Sequence, residues 1–102
     1  MTSKIPNSDT KPCKLSKKLT IVNKLGLHAR AASKLAQLCQ KFTSKITLKV
    51  EKKEADAGSI MAIMLLAGAQ GKIVEVTVEG TDAIAALDAI SQLISDKFDE
   101  DE

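Results

Sequence analysis

The sequence predicts an α+β fold of two layers, with helices on one face of a β-sheet. Residues 46–51 (ITLKVE) and 73–79 (IVEVTVE) alternate apolar and polar side chains, which is typical of strands buried on one face only. Elsewhere apolar residues recur at spacings of three and four, which is the period of a helix. We therefore expect an antiparallel or mixed sheet that is open to solvent on its other face.

The N-terminal half predicts one strand and one helix. Residues 19–24 (LTIVNK) are β-prone and short, and Gly26 is the expected turn after them. From His28 onward the apolar residues follow the helical period. The apolar stripe of this helix comprises Ala32, Leu35, Ala36, Cys39 and Phe42.

The C-terminal half completes the order β-α-β-β-α-β-α. Residues 52–58 are turn-like, with room for a short strand near residues 54–57. Ser59 is the predicted N-cap of a short apolar helix, residues 60–66, which ends at Gly68. The last helix has Thr81 as its predicted N-cap and extends to about residue 96. Its expected stripe comprises Ile84, Leu87, Ile90 (or Ser91) and Ile94.

The length of 102 residues is enough for one domain. Residues 1–18 hold two prolines and five lysines and predict a disordered basic tail. We expect a domain over residues 19–98 and an acidic end over residues 99–102. No apolar run approaches the roughly 18 residues of a membrane span, and residues 1–18 lack the apolar stretch of a secretory signal. Two cysteines without metal-site spacing suggest reduced thiols, so we expect a cytoplasmic protein.

Charge is divided unevenly along the chain. The first 50 residues carry eleven Lys and Arg and one acid, whereas the remaining 52 carry twelve acids and four lysines. Either the two halves interleave and neutralise each other, or the first half forms a basic patch for a phosphate or an acidic partner. Two phenylalanines and no Tyr or Trp argue against stacking platforms for nucleic acid. One histidine makes no obvious metal site, and no cofactor is expected.

His28, the only histidine, lies where the strand and turn give way to a helix. A helix N-terminus has backbone N–H groups without intrahelical partners and a partial positive charge, so it attracts anions and disfavours imidazolium. Arg30 offers a donor fork suited to a phosphoryl group, and Lys24 and Lys34 add positive charge. This grouping could support a transient phosphohistidine. The alternative is a surface histidine that merely begins a helix.

Two segments resemble the HPr family, the histidine-containing phosphocarriers of the phosphotransferase system. Residues 23–42 (NKLGLHARAASKLAQLCQKF) are similar to the family's active-site segment, and residues 58–80 to its second helix and following strand. The resemblance implies a four-stranded antiparallel sheet with three helices on one face. The run NKLGLHAR and the acidic end FDEDE are more similar to NPr, the nitrogen-branch paralogue, than to the sugar-branch protein.

The resemblance also implies roles for residues around the histidine. His28 corresponds to the histidine that is phosphorylated on Nδ1, and Arg30 to its arginine partner. Phosphate binding is implied for Ala29, Arg30 and Ala31. The family pattern is usually H-x-R-P, and Ala31 takes the place of the proline, so we expect a less rigid helix start. We also expect proline to be tolerated there, because that N–H has no intrahelical partner.

The apolar helix over residues 60–66 predicts a docking surface. Seven consecutive apolar residues on two turns cannot all face inward, and we expect Ile63 and Leu66 to do so. The resemblance implies that Ile60, Met61 and Met64 form the exposed patch that docks the family's partners, with Lys24 and Lys34 in its basic border. Ser59 either only caps the helix or also corresponds to the serine that a dedicated kinase modifies in some branches.

These features predict a monomeric phosphoryl carrier rather than an enzyme. Its implied partners are enzyme I as the donor and an EIIA-type protein as the acceptor, with an HPr-type serine kinase as a further candidate, and neither nucleic acid nor membrane. A nitrogen-branch regulatory role is favoured over a sugar-branch one. From a different class, the basic first half and the GxxG at residues 68–71 leave a small KH-like or ACT-like nucleic-acid-binding or regulatory module as the alternative.

Overall fold

Four strands and three helices follow the predicted order in the computed structural model, which describes residues 13–99. The strands are β1 (Cys13–Thr20), β2 (Lys45–Val50), β3 (Lys53–Asp56) and β4 (Ile73–Gly80). The helices are α1 (Ala29–Cys39), α2 (Ile60–Leu65) and α3 (Ala83–Ser95), and a short 3₁₀ turn (Lys97–Asp99) follows α3.

The strands form one antiparallel sheet in the order β1-β4-β2-β3, and the helices cover one of its faces. The apolar positions of the two central strands are buried beneath the helices, as their alternation predicts. They are Ile46, Leu48 and Val50 on β2 and Val74, Val76 and Val78 on β4. The predicted α+β class and the four-stranded antiparallel sheet are therefore confirmed.

Strand β1 corrects the N-terminal boundary. It pairs with β4 along its whole length, from Cys13 opposite Gly80 to Thr20 opposite Ile73. The tail predicted over residues 1–18 is therefore wrong for residues 13–18, and the strand predicted at residues 19–24 lies too late in the chain. Because β1 is an exposed edge strand rich in lysine, its alternation is weak. Residues 1–12 and 100–102 lie outside the described residues.

Helix α3 begins one residue later than predicted, and Ile84 is not part of its buried stripe. Its N-cap is Asp82 rather than Thr81, and Ile84 is 64% exposed. Ile90 and Ile94 are buried and Leu87 is partly buried against the core, as expected, and the small Ala83 and Ala86 are buried in addition.

The Asp82 carboxylate links the start of α3 to the loop after α1. It accepts hydrogen bonds from the N–H groups of Thr43 (2.9 Å) and Ser44 (3.0 Å) and from the Ser44 hydroxyl. These donors hold the pKa of Asp82 below its ordinary value, with the Ser44 hydroxyl contributing most. Asp82 is thus at the N-cap position of α3, but its side chain binds the loop after α1 instead of an N–H group of α3.

The open face of the sheet interleaves the charges of the two halves. Strands β1 and β2, from the basic half, flank β4, from the acidic half. The register places oppositely charged residues side by side in two rows, Lys14, Glu79 and Lys45 in one and Lys18, Glu75 and Lys49 in the other. On this face, the interleaving interpretation of the charge pattern is confirmed, and such cross-strand neighbours stabilise a sheet modestly.

Candidate functional site

A tight turn over residues 23–26 delivers the chain to the start of α1. Asn23 is fully buried, and its side-chain amide donates a hydrogen bond to the carbonyl of Gly26 at 2.8 Å. The Gly26 N–H donates in return to the Asn23 carbonyl at 3.2 Å. Sequence reasoning did not assign a role to Asn23, although it opens the segment that carries the family resemblance.

This turn is fixed against the loop that follows α2. Gly26 has a φ of +65°, and a Cβ atom there would collide with the carbonyl oxygen of Gly68. Leu27 donates its N–H to that same oxygen at 2.8 Å, and the Gln70 side chain donates to the Val22 carbonyl at 3.1 Å. Glycine is required at position 26 because both the conformation and the close approach exclude a side chain. The turn that leads into α1 is thereby fixed against the loop after α2, and this fixes the position of the residue before α1.

His28 is that residue, and it is the N-cap of α1. Its backbone is extended, and its Nδ1 accepts a hydrogen bond from the Ala31 N–H at 3.3 Å. Because Nδ1 accepts, the proton of the neutral ring is assigned to Nε2. The half-buried ring therefore turns Nδ1 toward the amides of the first helical turn. An anionic group bonded to Nδ1 would lie where a helix N-terminus binds anions.

The basic residues predicted near His28 do not all serve that site. Arg30 lies in the first turn of α1 and is exposed, as is Lys24 on the preceding turn. The Lys34 ammonium instead donates to the Phe98 carbonyl at 2.7 Å, so it anchors the turn after α3. No Asp or Glu occurs between residues 19 and 50, which keeps the segment around the histidine positive.

An apolar patch lies on α2 and the neighbouring turn. Its members are all between 40% and 71% exposed: Leu25, Ile60, Met61, Met64 and Leu65. Ile63 and Leu66 are buried, as predicted. Sequence reasoning missed Leu65, although it belongs to the same apolar run, and Leu25, whose exposure depends on the turn.

Leu25 connects the apolar patch to the surroundings of His28. A shallow depression is lined by His28, Leu25 and Leu27 together with residues 67–69, which follow α2. Leu25 is thus a member of both the patch and the depression. A protein that covers Leu25 would therefore also lie close to the imidazole of His28.

Ser59 caps α2, as predicted. Its Oγ accepts a hydrogen bond from the Ala62 N–H at 3.2 Å, and the side chain is exposed. An N-cap of this kind satisfies one of the N–H groups that the first turn of a helix leaves without a backbone acceptor.

Residues 13–99 give little indication of metal binding, of chemistry at the buried Cys39 or of a membrane span. Within that range, no three His, Cys, Asp or Glu side chains are grouped so that they could bind a metal ion. Burial raises the pKa of the Cys39 thiol to about 12, so it stays protonated in the core. None of the described helices has the length and apolar character needed to cross a membrane.

Comparison with known proteins decides the family. A family model described as "PTS HPr component phosphorylation site" matches residues 15–96. The chain belongs to the HPr family. It is 47% identical to the phosphocarrier protein HPr of Xylella fastidiosa strain Temecula1 and 48% identical to the phosphocarrier protein NPr of Shewanella violacea, each over 87 residues. These matches cover 85% of this chain and 98% and 96% of the two relatives.

The fold is similar to solved HPr structures. The crystal structure of HPr-C-His from Thermoanaerobacter tengcongensis matches with a TM-score of 0.82 and 40% identity, covering 86% of this chain and 99% of that one. HPr of Bacillus anthracis matches with a TM-score of 0.75 and 35% identity, covering 78% and 95%. As a member of the HPr family, this chain is a phosphocarrier of the phosphotransferase system and not a catalyst.

The KH-like alternative is wrong. The GxxG at residues 68–71 lies between helix α2 and strand β4, whereas a KH loop joins two helices. Because the chain belongs to the HPr family, the ACT-like alternative is wrong as well.

Proposed function

We propose that this phosphocarrier holds its phosphoryl group on Nδ1 of His28. The observation that carries the proposal is that Nδ1 faces the first turn of α1 and is held there by the Ala31 N–H. A helix N-terminus stabilises an anion through its partial charge and its amides. His28 is also the only histidine of the chain, and it lies within the segment matched by the family model.

The chemistry proposed for this site is an in-line displacement. The Nδ1 lone pair attacks phosphorus while the bond from phosphorus to the donor breaks, and the donor keeps that electron pair. Positioning and electrostatic stabilisation supply most of the rate in such transfers. Arg30 is exposed in the first turn of α1, and its proposed role is to donate hydrogen bonds to the phosphoryl oxygens. Ala29 and Ala31 contribute backbone N–H groups.

Enzyme I is the proposed donor, and an EIIA-type protein is the proposed acceptor. Both must reach the same imidazole, so both would dock on the apolar patch beside it. A small apolar patch with basic neighbours suits short-lived complexes that form rapidly. We also place the protein in the cytoplasm as a monomer, where the free thiols of Cys13 and Cys39 stay reduced.

The nitrogen branch is our proposal for the pathway. Its support is the run NKLGLHAR and the acidic end FDEDE, together with the NPr relative. Rates of transfer to a nitrogen-branch acceptor and to a sugar-branch acceptor, measured in parallel, test it. We expect the nitrogen-branch acceptor to be phosphorylated faster, and faster transfer to the sugar-branch acceptor would refute the assignment.

The carrier role of His28 is tested with enzyme I, phosphoenolpyruvate and intact-mass measurement. We expect the wild-type chain to gain one phosphoryl group that is lost in acid, and the folded His28→Ala variant to gain none. The matched control is Ser59→Ala, which removes a hydroxyl from the cap of α2 and should still accept the group. Phosphorylation of the His28→Ala variant by enzyme I would overturn the proposal.

A further inference from the structure

Ala31 gives this chain a hydrogen-bond donor that the usual family pattern lacks. The H-x-R-P pattern has proline at this position, and proline has no backbone N–H. Here the Ala31 N–H is present and donates to Nδ1 of His28 at 3.3 Å. Ala31 is itself fully buried, so the donor belongs to the packed start of α1 rather than to a mobile loop.

We propose that the Ala31 amide is a positioning residue for phosphoryl transfer, a role that rests on the proposed function of His28. In the unphosphorylated protein, the amide donates to Nδ1 and thereby fixes the neutral ring with its proton on Nε2. The nitrogen that must attack phosphorus is thus kept unprotonated and directed at the helix N-terminus.

The same amide acquires a stronger acceptor after transfer. As the Nδ1–phosphorus bond forms, the phosphorus–donor bond breaks, and its electron pair stays with the donor. The proton remains on Nε2, and the Nδ1 lone pair is now used in the new bond. The Ala31 N–H then donates to a phosphoryl oxygen, and a bond to a charged acceptor is roughly twice as strong as a neutral one.

This exchange of acceptors favours the phosphorylated state. Replacing a neutral acceptor by an anionic one predicts a shift of about fivefold toward the phosphorylated protein, relative to a site with proline. Arg30 and the other first-turn amides act equally in both cases, so the difference isolates the contribution of Ala31.

The first test uses the unphosphorylated protein and needs no partner. Histidine ¹⁵N chemical shifts report which ring nitrogen carries the proton. We expect the Nε2–H form to dominate in the wild-type chain and in Ala31→Gly, which keeps the N–H. In Ala31→Pro, which removes it, we expect the fraction of the Nδ1–H form to rise. Identical tautomer populations in all three proteins would overturn the proposal.

The second test is a competition for phosphoryl groups. Equal amounts of wild-type chain and Ala31→Pro share limiting phosphoenolpyruvate through catalytic enzyme I, and intact mass gives the equilibrium ratio. We expect the wild-type chain to hold the group about fivefold more often. Equal partition between the wild type and Ala31→Pro would contradict the proposal.

The two tests separate this inference from the function on which it rests. If no protein accepts a phosphoryl group, the proposed function fails, while the tautomer measurement still decides the role of the amide. If Ala31→Pro does not fold, an ester in place of the peptide bond to residue 31 removes the same N–H without a ring. That ester variant should show the same rise in the Nδ1–H form, and its failure to do so would refute the proposal.

Discussion

Substitution of Gly26 by alanine should displace the turn that positions His28. The new Cβ atom meets the Gly68 carbonyl oxygen and lies 3.0 Å from the Ala69 Cα, and both are backbone atoms that cannot rotate away. A left-handed conformation costs an alanine about 1–2 kcal/mol. Separation of the two loops further weakens the 2.8 Å hydrogen bond from Leu27 to Gly68, which contributes about 1 kcal/mol. We expect Gly26→Ala to lower the free energy of unfolding by at least about 3 kcal/mol once overpacking is included.

Gly71→Ala is the matched control. Gly71 also has a positive φ, +91°, but a Cβ atom there would have no neighbour within 4 Å among the described residues. We expect Gly71→Ala to lower the free energy of unfolding only by the cost of the left-handed conformation, about 1–2 kcal/mol. Urea unfolding of both variants gives the two free energies. Equal losses in the two variants would refute the close-approach explanation for Gly26.

The remaining predictions concern docking, transfer and pH. Replacing Met61 and Met64 together by glutamate should leave the fold intact and weaken binding to enzyme I at least about tenfold. The control Ile84→Glu, at an exposed position of α3, should bind enzyme I as the wild type does, and NMR titration measures the affinity of each variant. Arg30→Ala should slow phosphoryl transfer at least about tenfold, which is about 1.4 kcal/mol of activation free energy, with little change in Tm. Rapid-quench kinetics measures the rate, and an unchanged rate would contradict the prediction. The pKa of Asp82 is lower in the folded protein than in the unfolded chain, so the ionised carboxylate stabilises the fold at pH values above the unfolded-state pKa of about 3.8. The difference in unfolding free energy between wild type and Asp82→Asn should therefore be full at neutral pH and shrink as the pH falls below about 3.8. A difference that persists at lower pH would contradict the assigned hydrogen bonds.

The order of elements could be predicted because the central strands are buried on one face only. Strands β2 and β4 alternate cleanly, and α1 has a regular stripe. Most side chains of the edge strand β1 are exposed, and its lysines obscure the alternation. The burial of Ala83 and Ala86 on α3 was missed because alanine is compatible with either face of a helix, and only packing on the sheet decides which face is buried.

The candidate site was partly predictable from residue type and position. His28 is the only histidine and begins a helix, and Met61 and Met64 belong to an apolar run too long to be buried. The role of Asn23 depends on a turn that forms against another loop, which local patterns do not describe.

The expectation for Ala31 also changes once the structure is known. Its N–H has no backbone acceptor within the helix, as predicted, but the imidazole of His28 accepts from it. Proline at position 31 would therefore remove a hydrogen bond, although the resemblance implies that the fold accommodates proline there. The same contact anchors the helix start, and so opposes the looseness expected from the absence of proline.

That His28 holds the phosphoryl group on Nδ1 is tested most directly by NMR of the phosphorylated chain. The protein is labelled with ¹⁵N at histidine, phosphorylated by enzyme I and phosphoenolpyruvate, and the coupling between phosphorus and each ring nitrogen is measured. We predict coupling to Nδ1 and a proton retained on Nε2, because Nδ1 faces the first turn of α1. Coupling to Nε2, or a phosphoryl group on any other residue, would contradict this assignment.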